Sequence, residues 1–308
     1  MNRPLRTLFF GTSEFAVPAL RAFANALDCV LVVTQPDRPS GRGHKPQPSP
    51  VKVAAGALEI PTVEPEKVHD ALAVLGATGA DIFAVASYGN ILPPAVLDLP
   101  RLGAFNVHPS LLPLYRGATP LQAQIRDGVT ESGVTIIAMD AGMDTGDILL
   151  QERSPIGEHE TYGELHDRFA QLGAELLTRA CELAAAGRLE RQPQAGLASP
   201  EAIAATTTRP LTKGDLLVDW RWPAQRTVNH VRSLSPAPGA RAHLDGEAEM
   251  VKLLEVRTAA AHDPDELTVP CGRGEYVTIE RLVPPSRKPM KGQEYLAAAR
   301  SAAERRTR

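Results

Sequence analysis

Apolar positions follow two different patterns along the chain. Up to about residue 187, short continuous apolar runs alternate with stretches of helical spacing; beyond residue 212 the apolar pieces are shorter, with Gly or Asp turns between them. The continuous runs Leu5–Phe10, Asp28–Val33 and Asp81–Ala86 predict strands buried on both faces. Gly103–Val107, Gly133–Met139 and Ile148–Glu152 predict further strands, with a short one at Pro61–Val63. Phe15–Leu27, Val51–Leu58, Glu66–Gly76, Ala118–Asp127 and Thr161–Ala186 predict helices. Ser13 is placed to cap the first of these, and Thr161 with Glu164 has the spacing of a capping box at the last. Strand alternating with helix predicts an α/β fold, a parallel sheet with helices on its faces.

The pattern changes after Arg188–Thr212, a polar stretch with Pro193, Pro200 and Pro210 that reads as a loop-like linker. Leu216–Val218, Ala240–Leu244, Glu249–Val256, Glu266–Pro270 and Glu275–Arg281 read as short strands, and Pro223–Ser233 as the single helix among them. These suit a smaller C-terminal β-barrel, an OB-like barrel being one option. The expected domains are therefore 1–187 and 213–308, with 188–212 between them.

Composition narrows the class. A chain of 308 residues with 43% hydrophobic and 22% charged residues has ample core for a globular protein. No apolar run approaches the length of a membrane span, and the start of the chain does not read as a signal peptide. The three cysteines, Cys29, Cys181 and Cys271, are scattered and form no C-x-x-C pair, which points away from a disulfide framework or a zinc site and towards the cytoplasm. Net charge is -3, but residues 1–208 carry 16 basic and 23 acidic residues against 17 and 13 in 209–308. That asymmetry suits a polyanionic partner for the C-terminal part, or ordinary surface variation.

Candidate chemistry sits where predicted strands end. Asn106 and His108 lie two residues apart at the end of one strand and so share a face. A carboxamide beside an imidazole suits carbonyl addition: the amide steadies a developing oxyanion and the imidazole moves a proton. A strand end whose Asn and His merely satisfy nearby backbone groups stays open at this point. A second turn, Asp140 to Ile148, contains Asp140, Asp144 and Asp147 with two glycines. It fails the pattern of a calcium loop and can instead present one carboxylate to a site. Thr34 to Pro50 is long, proline-rich and basic at Arg38, Arg42 and Lys45, with Lys52 just beyond; its length exceeds that of an ordinary βα connection, and its cations suit phosphate. The first βα turn lacks G-x-G-x-x-G, no G-x-S-x-G nucleophile is present, and the zinc-deaminase pattern is absent. Direct acyl transfer between two bound substrates fits these features better than a covalent enzyme intermediate.

The stretch Phe105-Asn-Val-His-Pro-Ser-Leu-Leu-Pro-Leu-Tyr-Arg-Gly117, followed by Asp140-x-Gly-x-Asp144-x-Gly146, resembles the signature of formyltransferases that use 10-formyltetrahydrofolate. The resemblance implies a Rossmann-like catalytic domain, Asn106, His108 and Asp144 as the catalytic trio, and no metal. It further implies that Ser110, Leu111, Leu112 and Pro113 line the folate site, with Tyr88, Gly89, Asn90, Ile91 and Asp140 on loops around the pterin. Four more segments resemble the branch of this family that formylates methionyl-initiator tRNA: Phe10–Ala16, the Thr34–Lys52 loop, Leu216–Trp220 with Pro223-Ala224, and Val231–Gly239. That branch implies N-formylmethionyl-tRNA as product, tRNA contacts from Arg38, Arg42 and Lys45 and from the C-terminal barrel, and a cytoplasmic monomer. A sugar-nucleotide N-formyltransferase is the nearest competing expectation, and a non-catalytic RNA-binding protein on the same fold is the alternative of another class.

Overall fold

The computed structural model describes residues 5–40, 45–244 and 249–306. In chain order the first elements are β1 (Arg6–Gly11), α1 (Ala16–Ala26), β2 (Asp28–Val33), β3 (Arg38–Ser40), β4 (Lys45–Gln47), α2 (Pro50–Ala57), β5 (Thr62–Val63), α3 (Leu72–Ala77), β6 (Ile82–Ala86), α4 (Pro94–Leu97) and β7 (Gly103–His108). They are followed by α5 (Pro120–Arg126), β8 (Glu131–Ala138), β9 (Ile148–Pro155), α6 (Tyr162–Ala185) and α7 (Pro200–Thr206). The remainder contains α8 (Ala224–Leu234), β10 (Ala240–Ala242), β11 (Val251–Ala259), β12 (Thr268–Pro270), β13 (Tyr276–Val283), β14 (Met290–Lys291) and α9 (Gly292–Arg306). Two units result. Residues up to Gly117, Ser132–Ser154 and His166–Thr207 form the first; Ala118–Glu131, Pro155–Leu165 and the chain from Thr208 onward form the second.

The first unit is built on a seven-stranded sheet of order β5-β2-β1-β6-β7-β8-β9. The pairs from β5 to β7 are parallel, and β8 runs antiparallel to β7. Continuous apolar runs made this outcome: every residue of β6 is buried, as a central strand covered on both faces requires. One face packs Leu8, Phe10, Phe83, Val85 and Ala104 against Leu75 and Val96 of the α3–α4 region. On the other face α6 comes close to β7, because Gly173 has no Cβ; one built there would lie 2.5 Å from Val107 Cγ1. Val107 therefore points towards α6. Strand alternation turns Asn106 and His108 to the opposite face, the one Ala104 shares with the apolar cluster.

The second unit contains an antiparallel sheet of order β10-β11-β13-β12, with β14 paired to β13. Its core collects Val231 and Leu234 of α8, Val251 and Leu253 of β11, Ile279 and Leu282 of β13 and Tyr295 of α9.

Several local expectations are corrected. Ser13 does not cap α1, whose N-cap Phe15 has no side-chain cap; the Ser13 hydroxyl instead donates to Ser87 Oγ at 2.7 Å. The 34–50 stretch is not loop throughout, since β3 and β4 pair antiparallel from Arg38↔Gln47 to Ser40↔Lys45. Its base is tied by Thr34 and Ser49, whose hydroxyls lie 2.7 Å apart while Ser49 caps α2. The helix expected over 66–76 is a 3-10 turn, Val68–Ala71, followed by α3. The 188–212 stretch holds α7, started by the Ser199 side chain on Ala202 N–H with Pro200 at the first turn. Of the strand expected over Leu216–Val218, Leu216 closes a 3-10 turn, Lys213–Leu216, and Leu217 forms an isolated parallel bridge with Arg241. The expected single helix beyond residue 212 is joined by α9. The capping box at Thr161 and Glu164 is present, with Glu164 Oε2 accepting from both the Thr161 N–H and its hydroxyl.

Candidate active site

β7 ends on His108, which is buried, while Asn106 stays partly open. The His108 ring is hydrogen-bonded at one nitrogen and faces a carboxylate with the other. Nε2 lies 2.8 Å from the carbonyl oxygen of Tyr115, and Nδ1 lies 3.6 Å from Asp144 Oδ2. A carbonyl oxygen only accepts, so Nε2 carries a hydrogen and donates it; Nδ1 is the nitrogen free to exchange a proton, and it faces a carboxylate. The Asn106 carboxamide has no hydrogen-bond partner among the described residues. Its N–H donors are available on the same strand face.

Asp144 arrives from the loop between β8 and β9. The loop is closed by the Ala138 N–H donating to Asp147 O, and Gly146 permits that closure: a Cβ there would lie 1.7 Å from the Ala138 carbonyl oxygen. Asp140 does not face His108. Its Oδ1 accepts from Gly142 N–H and the Thr145 hydroxyl, so it shapes the loop that presents Asp144. Asp144 Oδ2 also accepts the Gly117 N–H at 2.8 Å, joining the loop to the turn after β7.

That turn, Ser110 to Pro113, is fixed from beneath by a hydrogen-bond network centred on buried Thr135. The Thr135 hydroxyl donates to Ser110 O and accepts the Leu112 N–H, and Gln151 Nε2 donates to both Thr135 Oγ1 and Leu112 O. Leu112 is buried against Ile137 and Ile148. A backbone this constrained is a rigid edge for a ligand. The loop after β6 behaves differently from residue to residue. Tyr88 is buried with its ring on Phe10, 5.3 Å between centroids, so it offers a site its backbone rather than its ring. Its carbonyl accepts from the Thr12 hydroxyl and Gln35 Nε2, and Gly89 makes room for that Gln35 side chain. Asn90 and Ile91 are exposed, Ile91 at 83%.

Three non-glycine residues around the site hold positive φ: Ser87 at 44°, Tyr115 at 58° and Asp144 at 55°. Each such conformation costs on the order of 1–3 kcal/mol and persists where surrounding contacts over-determine it. Residues that supply those contacts escaped the sequence reading. Gln194 donates to the carbonyls of Asp144 and Gly146, and the Thr206 hydroxyl accepts the Tyr115 N–H. Both lie in the stretch that reads as a linker. Polar residues in a proline-bearing segment give no periodic signal, so nothing in the sequence marked them.

Among the expected tRNA contacts, Arg38 is exposed in β3 and Lys45 opens β4, while Arg42 lies outside the described residues. Lys52 is spoken for, with its ammonium 2.8 Å from both Asp37 and Glu64. Among the described residues no helix is long and apolar enough to cross a membrane, and no cluster of His, Cys, Asp and Glu is arranged to hold a metal ion.

With this geometry in hand, the chain matches the formyl transferase family over residues 5–181 and the formyl transferase C-terminal domain over residues 210–300. The chain belongs to the formyl transferase family. Within that family it is 43% identical over 300 residues to the methionyl-tRNA formyltransferase of Stutzerimonas stutzeri, covering 94% of this chain and 93% of that protein. It is 42% identical over 301 residues to the methionyl-tRNA formyltransferase of Syntrophus aciditrophicus, covering 94% of each. Among solved structures, this formyl transferase superposes on the N-formyltransferase from Helicobacter canadensis, crystallised with folinic acid and dTDP-3-aminofucose. The TM-score is 0.67 at 17% identity, over 89% of this chain and 98% of that one, which is agreement in fold.

Proposed function

We propose that this formyl transferase moves the formyl group of 10-formyltetrahydrofolate to the α-amino group of methionyl-initiator tRNA, giving N-formylmethionyl-tRNA for translation initiation. The observation that carries the choice of acceptor is nearly full-length identity of 42–43% to methionyl-tRNA formyltransferases, against 16–20% to solved sugar N-formyltransferases. The chemistry is supported by an imidazole with one proton fixed and its other nitrogen facing a carboxylate, next to a free carboxamide on the same strand face.

The formyl donor fits the residues present. The rigid Ser110–Pro113 edge offers backbone groups, and the flanking loops expose two large apolar side chains, Ile91 and Met143, the latter 62% exposed. Exposed apolar side chains on otherwise polar loops suit a flat ring system. When bound, the folate supplies an activated formyl group on nitrogen, and the residues do the rest. The Asn106 carboxamide donates to the formyl oxygen as negative charge gathers there, a contribution of about 2.7–4 kcal/mol to the barrier. His108 takes up through Nδ1 the proton that the attacking amine sheds, and Asp144 holds the charged ring in place. Tyr115, by accepting the Nε2 hydrogen, keeps the ring from turning. As the new carbon–nitrogen bond forms and the old one breaks, that proton passes on to the departing folate nitrogen.

Arg38, Arg42 and Lys45 are the cations we assign to the phosphates of the tRNA acceptor end, and residues 209–308, with 17 basic against 13 acidic residues, add to them. We take the protein to act as a monomer and place the reaction in the cytoplasm beside the translation machinery. Incubating the protein with 10-formyltetrahydrofolate and either methionyl-tRNA or an amino-sugar nucleotide tests this reading. Formyl transfer to methionyl-tRNA is expected; transfer only to the amino sugar would overturn the choice of acceptor.

A further inference from the structure

The proposed mechanism needs Asp144 held at one place, on a surface loop and in the left-handed backbone conformation that few residues other than glycine, asparagine and aspartate adopt. Beside the Gly117 N–H on the carboxylate and the Asp140 bonds within the loop, one buried side chain grips the loop backbone itself. Gln194 is 4% exposed. Its Nε2 donates to Asp144 O at 2.9 Å and to Gly146 O at 2.7 Å, and its Oε1 accepts from Arg116 Nε at 3.2 Å and Nη2 at 2.6 Å. A carboxamide has two N–H donors and two acceptor lone pairs, and all four are used. The orientation is fixed by chemistry as well, because carbonyls only accept and a guanidinium only donates, so the reverse amide orientation would lose every bond. A fully satisfied buried network of this kind is rigid, and removing its centre takes the Gln194 bonds from two carbonyls and from the Arg116 guanidinium.

The segment carrying Gln194 is itself anchored. Gln192 and Ile148 exchange both backbone hydrogen bonds, at 2.8 and 2.9 Å, which lays the segment along the start of β9 immediately after the Asp144 loop. Further on, Thr206 of α7 accepts the N–H of Tyr115, the residue whose carbonyl holds His108 Nε2. The same short segment therefore grips, from behind, the backbone of both residues that fix the imidazole. Neither side chain touches the imidazole, and neither sits where a substrate would.

We propose that Gln194 is a positioning residue for formyl transfer, clamping the backbone on either side of Thr145 so that the Asp144 carboxylate meets His108 Nδ1. This rests on the reading of His108 and Asp144 as the reacting pair. The test is a double-mutant cycle on single-turnover formylation of methionyl-tRNA, using Gln194→Met, Asp144→Asn and the double variant. Gln194→Met keeps the side-chain length and removes all four hydrogen bonds. It is expected to slow transfer about 30-fold while leaving the KM for methionyl-tRNA within about two-fold, as loss of orientation rather than of binding requires. In the Asp144→Asn background the same change is expected to cost less than about three-fold, because a carboxylate already absent cannot be misplaced. Gln194→Glu, which still accepts from Arg116 but cannot donate to the two carbonyls, is expected to behave like Gln194→Met and guards against a variant that fails to fold. Equal losses in both backgrounds, or an unchanged rate in Gln194→Met and Gln194→Glu, would overturn the proposal. An active protein in which Asp144→Asn is harmless would instead refute the underlying assignment of Asp144.

Discussion

Two histidines in this chain, His108 and His230, are equally buried at 4% exposure, and they are set up for opposite behaviour. His108 ends a strand, donates through Nε2 to a carbonyl and turns Nδ1 to a carboxylate. His230 lies in the middle of α8, stacked edge-on against Trp222, with no hydrogen-bond partner for Nε2 among the described residues. Burial, with Arg126 and Arg226 nearby, pushes its pKa down to about 4, against weaker upward pulls from the Leu216 backbone and Asp215. Burial alone therefore does not make a histidine a proton carrier. An imidazole kept neutral by apolar packing and neighbouring cations is a core residue; one with its tautomer fixed and an anion at the other nitrogen is equipped to exchange a proton.

The largest effect should come from the strand face that His108 shares. Asn106→Ala removes the proposed oxyanion donor and should lower the single-turnover rate about 10²–10³-fold, with thermal stability near that of the unaltered protein; a loss below about five-fold would remove Asn106 from the reaction. Next is the loop that brings the carboxylate. Gly146→Ala places a Cβ 1.7 Å from the Ala138 carbonyl oxygen, so the loop must shift. Displacement of about 1 Å at a reacting group can cost about 10²-fold, and rapid-quench kinetics should find a loss of that order. His230 tests the other side of the comparison. Its folded pKa lies below the value of about 6.5 for an unfolded histidine, so the neutral ring contributes stability that is fully present above pH 6.5 and is lost as pH falls towards 4. At pH 5 the loss attributable to this residue is about 2 kcal/mol. His230→Phe should abolish that part of the difference between urea denaturation curves at pH 7 and pH 5; an unchanged difference would show that His230 does not titrate as its surroundings require. The smallest effect belongs to Arg38, exposed in β3. Arg38→Ala should weaken tRNA binding modestly and reduce the slope of log K against log salt by about 0.7–0.9, as for one lost phosphate contact.

Both histidines stand in plain view in the sequence, but only one of them could be read there. His108 sits two residues from Asn106 at the end of an apolar run, and period-two alternation puts the pair on one face. The strands of the parallel sheet were legible as well, since Leu8–Phe10 and Ile82–Ala86 are apolar without interruption. The Asp144 loop announced itself by its acids and glycines. Gln194 and Thr206 did not, because a hydrogen bond to a distant backbone carbonyl or N–H leaves no local pattern. α9 was missed because Gly292–Arg306 is mostly small and charged, with Tyr295 as its buried anchor. α7 carried a start signal, Ser199 before Pro200, that the surrounding prolines obscured. Ser13 shows the reverse error, a good capping residue whose hydroxyl is engaged by Ser87 across the sheet.

The comparison is tested most directly by making the same substitution at both histidines. Single-turnover formylation of methionyl-tRNA would be measured for the unaltered protein, His108→Gln and His230→Gln, with tRNA affinity followed in parallel. His108→Gln is predicted to lose about 10²–10⁴-fold in rate with tRNA affinity within about two-fold, and His230→Gln to keep its rate within about two-fold. Comparable losses in the two variants, or full activity in His108→Gln, would contradict the account.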